Sequence, residues 1–331
     1  MSTATLLLTG ADVRALLPAT DCIAAVEEAF RRHAAGLSVS PPALGVRVAA
    51  GGFHAKLASL ELSRRYFACK LNGNFPGNPT RHGLPTIQGV VILADAEDGR
   101  VLALLDSMEI TRLRTGAATA VAGRYLARPE SSTCTLFGCG LQGPIQLECL
   151  SRVLPIARIF VHDSNAEAAQ RVAAWARDVL HVEAEAVDAA EVFRRAAESD
   201  VIVTCTPSRT AFLGLEHVRA GTFVAGVGAD DAEKSELHPR LLETATVVVD
   251  ILAQCVAIGD LHHALAAGVM TEGDVHAELA DVVTGSKRGR VSRDEIIVFD
   301  STGTAIEDVA AAAVSYERAV AAGRGTAITL A

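Results

Sequence analysis

The chain has 331 residues, 50% of them hydrophobic and 21% charged, with a formal net charge of −9. That length favours two domains over one, and the acidic balance argues against a broad nucleic-acid surface. No apolar run reaches the ~18 residues that a membrane helix needs.

Seven scattered cysteines without a C-x-x-C pair read as reduced, mostly buried thiols of a cytoplasmic protein. The opening MSTATLLLTGADVRALL has no basic stretch and meets Asp12 early, so it does not read as a secretory leader.

Apolar residues at helical spacing (Ile23, Val26, Ala29, Phe30) predict a helix from Asp21 to about Ala35, with Asp21 as its N-cap. Short β-like runs follow at Val46–Ala49, Phe67–Leu71, Ile87–Ala94 and Val101–Leu105, and Asp98-Gly99 marks a hairpin turn between the last two. Thr111 to Leu126 reads as a helix stopped by Arg128-Pro129. From Thr133 the pattern changes. Strands are expected at 133–138, 158–162, 200–205, 222–227, 245–250 and 295–299, with alanine-rich helices between several of them, which predicts a parallel, doubly wound sheet. Gly285–Gly289 reads as an exposed loop, and the final amphipathic helix, Ala305–Ala321, either caps the second domain or crosses back to the first.

The most informative stretch is Thr133–Gly143, where a β-rich run leads into Gly138, Gly140 and Gly143 ahead of a helix. In G-x-G-x-x-G one glycine makes the strand-to-helix turn, one admits a pyrophosphate to the backbone, and one lets helix and strand pack closely. The helix N-terminus then offers free N–H groups to the phosphates. Asp163 lies twenty residues beyond Gly143, at the end of the next expected strand, where an acid binds the ribose 2′-hydroxyl. A merely structural glycine turn would leave both the spacing and the acid unexplained.

Ligands in such folds sit outside the carboxyl ends of the strands. Two loops fall there, Thr206-Pro207-Ser208 and Gly228-Ala229-Asp230-Asp231. Asp230, near the place expected for a nicotinamide ring, is a candidate proton donor or acceptor, although it could simply cap a turn. Arg47, Lys56, Lys70 and Arg114 are candidate carboxylate binders: Arg through its planar fork, Lys as a point charge whose pKa shifts when buried. Most basic residues are solvated, but Arg114 precedes Thr115-Gly116-Ala117-Ala118 on a small-residue helix, where a long charged side chain needs a reason to point inward. His262-His263 lacks metal-ligand spacing and reads, with Asp260, as a solvated helix start. Cys139 reads as a packing residue before a nucleophile. There is no G-x-S-x-G elbow and no Walker-type loop.

Several motifs in order carry a resemblance over nearly the whole chain. They are Lys70-Leu-Asn-Gly-Asn-Phe-Pro-Gly-Asn78, Gly83-Leu-Pro-Thr-Ile-Gln-Gly89, Thr111-Arg-Leu-Arg-Thr-Gly-Ala-Ala118 and Gly138-Cys-Gly-Leu-Gln-Gly143. Gly228-Ala-Asp230 with Lys234-Ser-Glu-Leu237, and Phe299-Asp-Ser-Thr-Gly303 with Ile306-Glu-Asp308, complete them. The chain thereby resembles the ornithine cyclodeaminase/mu-crystallin family.

The resemblance implies an α/β homodimer with a Rossmann-type doubly wound NAD-binding domain at 122–305. A second, α+β substrate and dimerisation domain would comprise 1–121 with 306–331. Arg47, Lys70 and Arg114, with Lys56 beside them, would hold the carboxylate of a small amino or imino acid. Asp230 would serve the reacting nitrogen, with Lys70 sharing the proton work. NAD would be held by Thr115, Gly138, Gly140, Leu141, Gln142, Gly143, Asp163, Ser164, Thr206, Pro207, Val227, Gly228 and Gly303, with no metal. Asp163, in His-Asp-Ser-Asn, favours NAD over NADP because a 2′-phosphate would meet a carboxylate.

The family's shared step moves hydride between an amino-acid α-carbon and the nicotinamide, through an imine. Its cyclodeaminases resemble one another in a glutamate that holds the distal amine near the start of the first-domain sheet. Gly51-Gly-Phe-His-Ala-Lys56 has no carboxylate there, and His54 or Lys56 suits a second ammonium poorly, though Glu61 could compensate. The expectation is therefore an amino-acid dehydrogenase or cyclic ketimine/pyrroline-carboxylate reductase, with ornithine cyclodeaminase as the alternative. A non-catalytic binding protein comes last, because such a protein would not need Asp230.

Overall fold

The structure is a computed structural model that describes residues 4–330; the first three residues of the leader reading lie outside it. The chain divides into two compact units, one built from residues up to Arg114 together with those from Thr304 onward, the other from Thr115–Gly303. The sequence-based division at 121/122 and 305/306 lies seven residues beyond the first of these crossings and two beyond the second.

In the first unit an eight-stranded sheet runs in the order Thr326–Ile328, Thr5–Leu8, Val101–Asp106, Ile87–Asp95, Arg65–Asn74, Gly51–Glu61, Ser38–Val39, with Leu44–Val48 also paired to Gly51–Glu61. Its pairs are antiparallel except that between Thr5–Leu8 and Val101–Asp106. Alternation puts Ala58, Leu60, Tyr66, Ala68, Val91 and Leu93 on one face, all buried, and helix Ala305–Ala322 packs there and against helix Ala19–Ala34. Each large side chain so buried contributes roughly 2 kcal/mol. The final helix thus belongs to the first unit.

The hairpin at Asp98-Gly99 forms as expected, with Gly99 at φ +78°. Strand Gly51–Glu61 was not among the β-like runs read along the chain, although the resemblance set Gly51–Lys56 near the start of the first-domain sheet. Glycine is needed at its opening because a Cβ at Gly51 would sit 2.3 Å from the Asn74 carbonyl oxygen. Asp21 is not an N-cap. The helix starts at Ala19 behind Pro18, and Asp21 pairs from its first turn with Arg318 at 2.6 Å.

In the second unit eight strands are all parallel, in the order Glu183–Ala186, Arg158–His162, Thr133–Phe137, Val201–Thr204, Phe223–Gly226, Ile297–Asp300, Thr246–Val249, Ala277–Glu278. Thr133–Phe137 lies where the order reverses, the position at which dinucleotide folds bind ligand. The central strands are buried along their length, which is why they read as unbroken apolar runs. Both edge strands were missed. Glu183–Ala186 alternates acid with alanine and Ala277–Glu278 is two residues long, so neither carries a β signal. Helix Asp260–Ala266 does not start in solvent: Asp260 is fully buried, and the His263 ring meets the Lys234 carbonyl oxygen at 2.7 Å. Among the described residues no helix is long and apolar enough to cross a membrane.

Candidate functional site

In the first unit, strand register builds a basic face. Arg47 stands opposite Gly52, His54 opposite Asn72 and Lys56 opposite Lys70. Opposed residues of an antiparallel pair share a face, so these groups continue the face that helix Ala305–Ala322 covers. Lys70 and Arg114 are each 4% exposed. Lys70 Nζ lies 2.9 and 2.8 Å from the two carboxylate oxygens of Asp308. Arg114 Nη1 donates to Glu307 Oε2 at 3.0 Å, and its Nε lies 3.0 Å from Asp308 Oδ1. Both acids come from the first turn of the final helix, where the helix dipole also favours negative charge. Burial would raise Asp308, but Lys70 and Arg114 prevail and hold its carboxyl below the usual range. Burial lowers Lys70 to about 7, helped by Arg114 and Lys56 and resisted by Asp308. Lys56 is half-buried and Arg47 exposed.

The inward turn of Arg114 is thus explained by Glu307 and Asp308, to which sequence reasoning had given no role. Their signal was two adjacent acids opening an otherwise alanine-rich helix.

In the second unit the three glycines have three different surroundings. Gly138 has φ +100°, and a Cβ there would lie 2.7 Å from the Cys205 carbonyl oxygen. At Gly143 it would lie 2.6 Å from the Gly138 oxygen, so helix and strand approach closely. At Gly140, which is exposed, a Cβ would meet nothing within 4 Å, leaving the backbone open to a ligand. Leu141 is 66% exposed beside it, and Gln142 opens helix Gln142–Leu150. Asp163 accepts from the Cys139 N–H at 2.7 Å and the Asn165 N–H at 2.8 Å; it ties the turn to the end of the next strand, with exposed Ser164 alongside. A glycine cradle of this shape with its acid fits a dinucleotide. Cys139 is buried, and burial with Asp163 pushes its thiol up to about 12, which suits a packing role.

The strand-end loops are held by an acid that sequence reasoning passed over. Glu236 is fully buried. Its Oε1 accepts from the Thr206 N–H at 2.6 Å and Oγ1 at 2.7 Å, and its Oε2 from Thr204 Oγ1 and the Gly228 N–H, both at 2.8 Å. Asp260 Oδ1 in turn accepts from the Glu236 and Leu237 N–H groups at 2.8 and 3.0 Å. Asp300 accepts from the Leu261 N–H at 2.9 Å, and Asp250 Oδ2 from the Thr302 and Gly303 N–H groups at 2.7 Å each. Asp250 and Asp300 end or follow buried strands, a signal sequence reasoning could have used; Glu236 stood inside the Lys234-Ser-Glu-Leu237 motif but was given no role of its own. Burial and then Asp260 push Glu236 up to about 7. Burial pushes Asp260 to about 6 and, with Asp260 beside it, Asp300 well above its ordinary value.

Of the other expected residues, Thr115, Val227 and Gly303 are buried, Thr206 is half-buried and Pro207 exposed. Asp230 is exposed and pairs with Lys234 Nζ at 2.6 Å. Among the described residues no group of three or more His, Cys, Asp or Glu could hold a metal ion.

Three solved structures are similar over their whole length. An archaeal alanine dehydrogenase dimer with bound NAD is 39% identical, covering 99% of this chain and 100% of its own, with a TM-score of 0.94. The Thermococcus litoralis Δ1-pyrroline-2-carboxylate reductase in complex with NADH and L-proline is 32% identical, with coverages of 98% and 100% and a TM-score of 0.93. The iminosuccinate reductase of Paracoccus denitrificans in complex with NAD+ is 31% identical, with coverages of 98% and 99% and a TM-score of 0.89. The family model that matches this sequence spans residues 3–323, and the chain therefore belongs to the ornithine cyclodeaminase/mu-crystallin family.

Proposed function

We propose that the chain is an NAD(H)-dependent oxidoreductase that interconverts an α-amino acid and its imine, as an amino-acid dehydrogenase or cyclic-imine reductase. The observation that carries this reading is the glycine cradle, with Gly140 open to a ligand and Asp163 at the following strand end. The similarity to three pyridine-nucleotide complexes of amino- or imino-acid enzymes supports it.

When bound, the dinucleotide would supply or accept hydride at the α-carbon. In the reducing direction a C=N bond becomes C–N, and the nitrogen gains a proton. Lys70 and Arg114, fixed by Asp308 and Glu307, orient the α-carboxylate with Arg47; holding one end of the substrate is chiefly a positioning effect. Asp230 carries the proton to or from the nitrogen, and Lys70, lowered to about 7, is able to share that work near neutral pH. Gly138, Gly140, Leu141, Gln142 and Gly143 receive the pyrophosphate, Asp163 and Ser164 the ribose, and Thr115, Thr206, Pro207, Val227, Gly228 and Gly303 the remainder.

The reading includes a homodimer in the cytoplasm, the compartment that suits these thiols. Opposite the basic face, Leu44, Val46, Val48, Phe53 and Leu71 stand together, between 42% and 64% exposed. An apolar patch of this kind marks a protein interface, and a second copy is its proposed occupant.

The test follows NADH oxidation with pyruvate plus ammonia and with Δ1-pyrroline-2-carboxylate, and separately proline release from L-ornithine plus NAD. Turnover of the first pair is expected. Asp230→Asn should lower kcat by about a hundredfold or more with NADH binding retained; unchanged kcat would remove Asp230 from the mechanism, and proline from ornithine would make the chain a cyclodeaminase.

A further inference from the structure

Two strand-end loops of the second unit meet at one buried acid. Glu236 accepts from the Thr206 N–H and hydroxyl on one oxygen, and from the Thr204 hydroxyl and the Gly228 N–H on the other. Those donors fill the four lone-pair positions of an ionised carboxylate. Gly228 comes so close that a Cβ there would fall 2.4 Å from the Thr206 carbonyl oxygen and 2.5 Å from Glu236 Oε2. The backbone of the acid is fixed as well: its N–H is held by Asp260 Oδ1, and its carbonyl oxygen accepts from the Phe212 and Leu213 N–H groups at 2.9 and 3.0 Å.

A proton on this group works against the clamp. A neutral acid must donate its O–H, so one threonine hydroxyl has to turn round and a backbone N–H is left on an uncharged oxygen. Hydrogen bonds to a charged acceptor are roughly twice as strong, so the neutral form holds both loops more loosely. Burial opposes the charged form, as does the Asp260 carboxyl on helix Asp260–Ala266, with Asp300 beyond it; Glu236 is pushed up to about 7. The Cys205 thiol, between the two threonines in sequence, is raised by burial and then by Glu236, and stays uncharged.

We infer that Glu236 is a positioning residue whose ionised form sets the Thr206 and Gly228 loops for the dinucleotide, so that cofactor binding releases a proton from this carboxyl to solvent. This rests on the dinucleotide reading above, which gives both loops to the cofactor. The Glu236 O–H bond breaks, the carboxylate keeps the electron pair, and the buffer takes the proton. With a midpoint near 7, the ionised fraction is about a tenth at pH 6 and about nine-tenths at pH 8, and apparent affinity follows that fraction.

Calorimetry with NAD+ between pH 6 and 8, in two buffers of different ionisation enthalpy, reads affinity and protons together. Wild-type affinity should rise about tenfold over that range, with close to one proton released per NAD+ at pH 6 and few at pH 8. Glu236→Gln has nothing to ionise there. It should bind about tenfold more weakly than wild type at pH 8, with a flat profile and without that proton release. Thr204→Val keeps the acid but removes one donor, and should move the midpoint up by about one pH unit; it carries the test should Glu236→Gln not fold. A wild-type affinity constant from pH 6 to 8, the same rise in Glu236→Gln, or an unmoved midpoint in Thr204→Val would overturn this inference and leave the dinucleotide reading intact. Failure to bind NAD+ at any pH would overturn both.

Discussion

Two sets of buried carboxylates serve the two units in opposite ways. In the first unit Asp308 and Glu307 face guanidinium and ammonium groups, and Asp308 is held ionised. In the second, Glu236, Asp260 and Asp300 face backbone N–H groups, hydroxyls and one another, and all three are pushed toward their neutral forms. Neutral donors satisfy lone pairs without cancelling a charge, whereas cations do both. A carboxylate matched by cations fixes the direction in which those cations point. One matched by backbone instead fixes loops, here Thr206, Gly228 and the turn at Gly303.

The largest expected effect comes from breaking the charge-matched set. Asp308→Ala leaves Lys70 and Arg114 buried beside each other and should cost about 3–5 kcal/mol, read by chemical denaturation. A loss under about 1 kcal/mol would mean that water or a rearranged side chain replaces the pair, and the contrast between the units would collapse.

The second test uses pH. Glu236 has a folded pKa raised from 4.5 to about 7, so its ionisation is resisted by the fold. The penalty sets in as pH passes 4.5 and is complete above 7. Against Glu236→Gln, which cannot ionise, the wild type should therefore lose up to about 3 kcal/mol of relative stability between pH 4.5 and 7.5. A flat difference across that window would show that the four donors keep Glu236 charged. Lys70 works in another window: lowered from 10.5 to about 7, its penalty is complete below 7 and is relieved as pH climbs to 10.5.

The smallest effect is the reference for both. Arg158 and Glu183 pair at 2.7 Å on neighbouring strands, with side chains 54% and 71% exposed. Arg158→Ala should change stability by less than about 1 kcal/mol, which separates burial from mere pairing as the source of the other two.

Much of the second unit was legible because parallel strands buried on both faces announce themselves as apolar runs. The glycine turn was legible because each glycine has a separate steric duty. Less of the first unit could be read. Strand Gly51–Glu61 opens on glycines demanded by Asn74 and Phe75, neighbours from another strand. Lys70 and Arg114 stood out as candidate binders, but their partners lie far along the chain, and Glu236 is one acid in a polar loop whose four donors only the folded backbone assembles. Long-range pairing leaves no local trace.

The two units also differ in when each can be completed as the chain is made. Asp308 follows its partner Lys70 by 238 residues, and Thr326–Ile328 pairs with Thr5–Leu7. The middle of the chain holds its whole sheet between Thr133 and Asp300 and can complete it while translation continues. The basic face has to wait for the closing helix to leave the ribosome. Until then its lysine and arginine are solvated rather than matched, and an unfinished chain lacks the two acids that fix their direction.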